Sequence, residues 1–354
     1  MYKNKKVLVT GGASFIGSHL VDRLIREGSE VIVADNFSSG KWENLQYKFL
    51  KISKGEYISK EANLKVYVGD LKDIRFVKKV VKDVDIVFHL AAVHGGRGYI
   101  ATHPADVCTG MIIDQLVFEQ ACKNNVERIC YASSACVYPV HLQEDPEGNY
   151  RLKEEDADPF TYGKANADLE YGWSKLMGEM ALKAYHKQYG MKTSSVRIFT
   201  AYGPRENETH SVIALIAKAF IRMDPFVIWG NGKQKRNYTY IDDIIDALIL
   251  ACEKIEDGTA VNAGREDSIT INELAEMIFE TINWRPSKIV YDLTKPVGVM
   301  SRAADLTLAR KLLGWEPKVS YREGLMKTID WYFSTKNPEK IKMKLDYLLF
   351  ERKS

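Results

Sequence analysis

The sequence predicts a doubly wound α/β fold, a mostly parallel sheet with helices on both faces, followed by a smaller mixed α/β lobe. Three observations carry that expectation. Short β-branched runs alternate with helical patterns as far as Phe199, a glycine-rich turn after the first run opens a helix, and the second run ends in an acid.

Lys5-Lys6-Val7-Leu8-Val9-Thr10 reads as the first strand. Gly11-Gly12-Ala13-Ser14-Phe15-Ile16-Gly17-Ser18-His19-Leu20 opens a helix that continues through Leu24 and Ile25. Glu30 to Asp35 is the second strand, its acid 18 residues beyond Gly17. In such a βαβ unit the turn seats a pyrophosphate at a helix N-terminus and the acid holds the adenosine ribose. Asp35 favours NAD over NADP, because a carboxylate repels a phosphate on that ribose. Further strands are read at Leu64 to Val68, Asp85 to Leu90, Glu127 to Ala132 and Thr193 to Phe199, with a helix from Pro104 to Lys123. Alternation of this kind places ligand sites at the carboxyl ends of parallel strands.

Two insertions interrupt the pattern. Residues 41–63 are polar and read as exposed, and the acidic stretch between Tyr138 and Tyr171 reads as a surface loop over the site. After Pro204 come a helix from Val212 to Met223, the run Phe226 to Trp229, and helices from Asp242 to Lys254 and Asn272 to Ile282. This divides the chain into residues 1–203, 204–335 with some exchange of strands and helices between the two, and a C-terminal extension, 336–354.

Tyr171 and Lys175 stand four apart on a segment that is helical in pattern from Leu176 onward, so they share a face. An adjacent ammonium stabilises a phenolate, which brings a strong base towards neutral pH. Tyr162-Gly163-Lys164 has the same residue types at a spacing of two, which does not put them on one face.

Together with Asp35-Asn36, Gly69-Asp70-Leu71, His89-Leu90-Ala91-Ala92, Ser133-Ser134-Ala135-Cys136-Val137-Tyr138, Tyr202-Gly203-Pro204 and Tyr240-Ile241-Asp242-Asp243, these motifs occur in an order that resembles the extended short-chain dehydrogenase/reductase family, from Lys5 to about Trp331. The resemblance implies a Rossmann-type sheet and an NAD-dependent nucleotide-sugar epimerase. It implies cofactor contact by Gly11, Ser14, Phe15, Ile16, Gly17, Asp35, Asn36, Asp70, Leu71, Leu90, Ala91, Ala92, Tyr171 and Lys175. Ser14 stands where the family has its central turn glycine. Ser134 completes a Ser/Tyr/Lys set in which Tyr171 takes the proton from a sugar hydroxyl, hydride passes to NAD and a transient ketone is held.

The residues beside that ketone decide its fate. Dehydratases of the family carry an Asp-Glu pair where this chain has Ala135 and Cys136, which disfavours loss of water. Cys136, with Gly95, Gly96 and Arg97 following the fourth strand, is similar to the GDP-mannose 3,5-epimerase branch of the family. There a Cys and a basic partner move protons across the ring face at carbons 3 and 5. The partner's register falls on His210 or Ser211. Arg236 and Arg302 match the arginines that hold the diphosphate, a task that suits the bidentate guanidinium. Thr200 replaces an Asn common in relatives. The alternatives are a UDP-glucose or UDP-glucuronate 4-epimerase and, as a minor one, a non-catalytic NAD-binding sensor. The family also pairs the helix ending near Lys123 and the Tyr171 helix across a two-fold axis, which implies a homodimer.

Composition agrees. Lys plus Arg number 50 against 47 Asp plus Glu, a net charge of +3, which argues against nucleic-acid binding. Five cysteines without a CxxC pair indicate neither a metal site nor a disulfide frame. No run approaches the ~18 apolar residues of a membrane span, and the N-terminus lacks a signal-peptide core, so a soluble, cytoplasmic protein is expected.

Overall fold

The structure, a computed structural model, describes residues 1–351. The chain opens with β1 (Lys6–Thr10), α1 (Phe15–Arg26), β2 (Glu30–Asp35), β3 (Phe49–Ser53), β4 (Glu56–Ser59), β5 (Leu64–Val68), α2 (Ile74–Val81) and β6 (Ile86–His89). It continues with α3 (Arg97–Thr102), α4 (Pro104–Cys108), α5 (Gly110–Lys123), β7 (Arg128–Ser134), α6 (Leu169–Tyr189) and β8 (Lys192–Ile198). The expected helix from Pro104 is thus two, meeting at Thr109, where Gly110 lets α5 approach the Ser174 hydroxyl of α6.

The second half holds β9 (Ala201–Tyr202), α7 (Ser211–Phe220), β10 (Phe226–Trp229), β11 (Lys235–Arg236), β12 (Thr239–Tyr240), α8 (Ile241–Lys254) and β13 (Asp257–Ala263). After them come β14 (Ile269–Thr270), α9 (Ile271–Thr281), β15 (Ile289–Asp292), β16 (Ser301–Arg302), α10 (Thr307–Leu313), α11 (Tyr321–Thr335) and α12 (Pro338–Leu348).

The large sheet has the order β13-β8-β7-β6-β1-β2-β5-β4-β3 and is parallel except for the hairpin β3–β4 at one edge. Alternate residues of each central strand enter different cores, as the two-residue period requires. Val7 and Val9, Val31 and Val33, and Ile86 and Phe88 pack on one side, whereas Leu8, Ile32, Ala34 and Val87 pack on the other with Val117, Phe118 and Leu182. The chain builds outward from β1 through β2 to β5, then returns to place β6 on the other flank of β1. That reversal leaves a crevice beyond the carboxyl ends of β1 and β6.

Two expectations change. Residues 41–63 are not a simple exposed insertion: they extend the sheet by β3 and β4, bury Leu45, and stack Trp42 on Phe37 with ring centres 4.5 Å apart. The stretch after Tyr138 does not roof the crevice; Gln143, Leu152 and Asp156 are buried, and Leu152 bridges to Ala304. Its acidic run from Glu144 to Glu147, Asn149 to Arg151 and the tip from Phe160 to Gly163 are exposed. Among the described residues no helix is long and apolar enough to cross a membrane.

Candidate active site

A cavity of about 440 Å³ occupies the crevice, and every site residue named from the sequence lines it, from Gly11 in the first turn to Arg302 on β16. The volume is that of a small-molecule site.

The cofactor end is built from backbone. Gly11 has φ 70°, and a Cβ on Gly17 would lie 2.2 Å from the Gly11 carbonyl oxygen, so the turn closes only with glycine at both places. Ser14 caps α1 with φ −85°, a conformation any residue adopts, so its side chain costs the turn no strain. The first N–H groups of α1 are left to an anion. The buried Asp35 carboxylate accepts from the Ala13 N–H at 2.9 Å and the Phe37 N–H at 2.8 Å, which fixes it at the end of β2. A glycine cradle closed on itself and an oriented acid one strand away fit a dinucleotide.

Beneath this turn runs a buried polar chain that no local motif announces. Thr10 Oγ1 lies 2.7 Å from His89 Nδ1 and accepts from the N–H groups of Leu90 and Ala91, which sets the start of the loop after β6. His89 Nε2 is 2.9 Å from Asp114, which also accepts from the Tyr131 hydroxyl at 2.6 Å. Gly178 gives that hydroxyl room, since a Cβ there would sit 2.6 Å from it. The chain ends at Lys175, whose Nζ lies 4.4 Å from the Tyr131 ring centre.

Lys175 is buried and donates to the Ala132 carbonyl at 2.8 Å, with its Nζ 5.8 Å from the Tyr171 ring centre. Burial lowers its pKa, against the opposing pull of the Asp114 and Glu179 carboxylates. Glu179 is itself held by Arg197 at 2.8 Å and by the Ser133 hydroxyl. Ser134 Oγ accepts from the Cys136 N–H at 3.1 Å, which leaves its O–H to donate.

Cys136 follows in a short 3-10 turn, Ala135–Val137, and packs against the small cluster of Ile100, Val107 and Tyr171. The Cys136 carbonyl accepts from the Asp168 N–H at 2.8 Å, and Gly172 makes that approach possible, because a Cβ would come within 2.1 Å of the same oxygen. Arg302 Nη1 lies 3.6 Å from the Cys136 sulfur, while its other nitrogens hold Gln143 at 2.6 Å and Asp168 at 3.3 Å. Asp168 also takes Arg97 at 2.8 Å. Arg236 is anchored to the Val297 carbonyl at 2.9 Å, and its pKa is pushed down to about 10 by burial and then by the charges of Arg302 and Arg97. Three guanidiniums around one carboxylate leave positive charge that a diphosphate matches.

Both candidates for the basic partner line the cavity. Ser211 Oγ is 3.0 Å from the Tyr238 hydroxyl. His210 Nδ1 is 2.8 Å from Glu206 Oε1, within ion-pair range though out of line for a good hydrogen bond. Burial raises the Glu206 pKa and His210 opposes that rise. Sequence reasoning missed His94, Asp168 and Glu206. His94 stacks on Tyr171 with ring centres 4.4 Å apart and on His210 at 5.4 Å.

The fold and site define an α/β protein that binds a dinucleotide beside a Tyr/Lys pair. The chain belongs to the NAD dependent epimerase/dehydratase family, whose model matches residues 7–264, and NAD is its cofactor. It is 32% identical over 346 residues to a GDP-mannose 3,5-epimerase of Arabidopsis thaliana, covering 96% of this chain and 85% of that one. It is 29% identical over 343 residues to a UDP-N-acetyl-alpha-D-glucosaminuronate decarboxylase of Bacillus cytotoxicus, covering 94% of this chain and 99% of that one. Among solved structures, a UDP-glucose 4-epimerase of Thermotoga maritima with UDP-glucose aligns with a TM-score of 0.78 at 29% identity, over 93% of this chain and 99% of that one.

Proposed function

We propose that the protein is a nucleotide-sugar epimerase that works through a transient ketone at carbon 4 of the sugar and inverts a neighbouring carbon, as a GDP-mannose 3,5-epimerase does. The observation that carries this reading is the Cys136 thiol, packed against the cluster that includes Tyr171, with the Arg302 guanidinium 3.6 Å from its sulfur. When bound, NAD supplies the hydride acceptor and donor.

Tyr171 takes the proton of the carbon-4 hydroxyl, with the Lys175 charge favouring its phenolate and the Ser134 O–H holding the same oxygen. Cys136 works on a carbon beside the ketone, whose C–H is acidified by the carbonyl. A thiol suits that work because its reference pKa of ~8.5 lies near neutrality. Arg236 and Arg302 hold the diphosphate, and Gly95, Gly96 and Arg97 border the sugar. Residues 1–203 carry the cofactor and 204–335 the nucleotide sugar. We further infer a homodimer through α5 and α6.

A simple 4-epimerase is the second reading, favoured by the likeness to the Thermotoga maritima enzyme. The two differ at the carbon-bound hydrogens. A 4-epimerase returns the same hydride to carbon 4, whereas a 3,5-epimerase exchanges a proton with water. The test incubates the protein in heavy water with GDP-mannose, UDP-glucose and UDP-glucuronate and follows products by mass spectrometry. Deuterium at carbon 3 or 5 that Cys136→Ser suppresses by ~10²-fold or more supports the proposal. Conversion with no deuterium in the product makes Cys136 a packing residue and leaves the 4-epimerase.

A further inference from the structure

His94 is the last residue before the Gly95-Gly96-Arg97 run, and the loop that carries it is locked to the segment before α7. A Cβ on Gly96 would lie 1.7 Å from the Thr209 carbonyl oxygen, and the Gly96 N–H donates to Thr209 Oγ1 at 3.0 Å. That seam brings His94 against His210. The result is a stack of three rings, Tyr171, His94 and His210, with interplanar angles of 22° and 30° and the Glu206 carboxylate 2.8 Å from His210.

Tyr171 is the group that meets the oxygen on carbon 4, so whatever packs on Tyr171 inside the cavity stands nearest to carbons 3 and 5. Beyond the buried Lys175, the His94 ring stacks on Tyr171, and the Cys136 side chain packs against the cluster that Tyr171 forms with Ile100 and Val107. His210 is one ring further out, and the Ser211 hydroxyl lies against Tyr238. Resting on the epimerase reading above, we propose that His94 is the second proton-transfer group of this site, that it works with Cys136 on a carbon beside the ketone, and that His210 with Glu206 holds and recharges it.

The step balances without a further reagent. With carbon 4 oxidised to the ketone by NAD, neutral His94 takes the proton from the adjacent carbon. The C–H electron pair becomes the double bond of an enolate, and the charge settles on the carbon-4 oxygen beside Tyr171 and Ser134. The Cys136 thiol then gives its proton to the other face of the same carbon, and the enolate collapses back to the ketone. What remains is an imidazolium and a thiolate, which exchange with water through the partly exposed His210 and return to the starting state. Each turnover thereby carries a solvent proton into the sugar. Histidine changes charge near neutral pH, the range this exchange needs. The rings of Tyr171 on α6 and His210 at the N-cap of α7 pack on His94, Glu206 stands beside His210, and Lys175, Cys136, Arg97, Asp168 and Arg302 line the same cavity.

The test compares wild type, His94→Phe, His94→Gln and His210→Gln with GDP-mannose in heavy water, reading deuterium at carbons 3 and 5 by mass spectrometry and reduced cofactor by its absorbance. His94→Phe keeps a ring in the stack and removes the proton carrier. Both His94 variants are expected to lose ~10²-fold or more of the deuterium incorporation while cofactor reduction stays close to wild type. His210→Gln is expected to lose less and to shift the acid limb of the pH profile. Incorporation that survives in His94→Phe overturns the proposal, as does an equal loss of cofactor reduction and exchange, which would make the ring a positioning residue for Tyr171. Conversion by the wild type with no deuterium in the product overturns the 3,5-epimerase reading on which this proposal rests and leaves the 4-epimerase, and it is seen before any variant is made.

Discussion

At Gly172 one missing methyl group keeps α6 in contact with the turn that carries Cys136. A Cβ there would stand 2.1 Å from the Cys136 carbonyl oxygen, which is backbone and cannot rotate away. Gly172→Ala must therefore push the helix outward, and Tyr171, one residue earlier, moves with it. Overpacking of this kind typically costs about 1–3 kcal/mol. A misplacement of about 1 Å at a reacting group can cost ~10²-fold in rate. The expected outcome is a lowered thermal midpoint in calorimetry with a turnover loss larger than the stability change accounts for; normal turnover would show that the contact does not position Tyr171. His19 gives the pH dependence at the same scale. Its ring lies 3.0 Å from the Pro204 carbonyl, and burial, followed by the Arg205 charge, moves its pKa from 6.5 down to about 4. Between those values the unfolded chain binds a proton that the folded chain refuses, so folding stability declines as the pH falls through the window and is fully present above it. His19→Gln should flatten that decline in urea midpoints measured from pH 7 to pH 4.5. An unchanged slope would assign the acid sensitivity to other groups.

Elements whose residues choose a period are legible in the chain itself. The strands at Val7, Val31, Val87 and Ile129 are apolar on both faces because both faces are covered, and each is marked by a β-branched run between turn signals. The hairpin β3–β4 is not legible, because Leu50 to Ser53 are exposed at the sheet edge and no buried face sorts its apolar from its polar residues. The cofactor turn and the Tyr171/Lys175 pair are local patterns, and so they are read at once. The rest of the site is built across elements: Asp168 takes its meaning from Arg97 and Arg302, and His94 from Tyr171 and His210, residues far apart in the chain. The seam at Gly96 tests that cross-element assembly. Gly96→Ala would press a methyl group into the Thr209 carbonyl and must part the loop after β6 from the segment before α7. Activity is expected to fall by ~10-fold or more, with NAD affinity little changed because the β1 turn and Asp35 lie elsewhere. NAD affinity measured by calorimetric titration checks this; a loss of NAD binding as large as the loss of activity would count against the seam as a sugar-site feature.

For the whole molecule, the sheet and the smaller lobe are not separate bodies. α8 and β13 return to the large sheet after Pro204, and one buried cluster runs from Val9 and Val33 to Ile271, Leu325 and Leu345. The C-terminal extension joins the same cavity: Leu349 lines it, and the Phe350 ring lies 5.1 Å from Trp229. Apolar surface is left over on the outer faces of α5 and α6, where Ile112, Trp173 and Met177 are 53%, 42% and 45% exposed. Burying a large apolar side chain contributes roughly 1.5–3 kcal/mol, and a two-fold axis counts each contact twice, so covering these three by a second copy stabilises an assembly substantially. α6 also carries Tyr171 and Lys175 on its inner face, so such an interface would brace the helix that sets the site. Trp173→Glu replaces an apolar contact with like charges from two chains, and its half-exposed position lets the fold accept the change. Light scattering at micromolar concentration is expected to show twice the chain mass for the wild type and the single-chain mass for Trp173→Glu. A wild type that scatters as a monomer would leave that apolar face without the partner inferred for it and refute the dimer. A Trp173→Glu variant that stays dimeric would place the contact on another face.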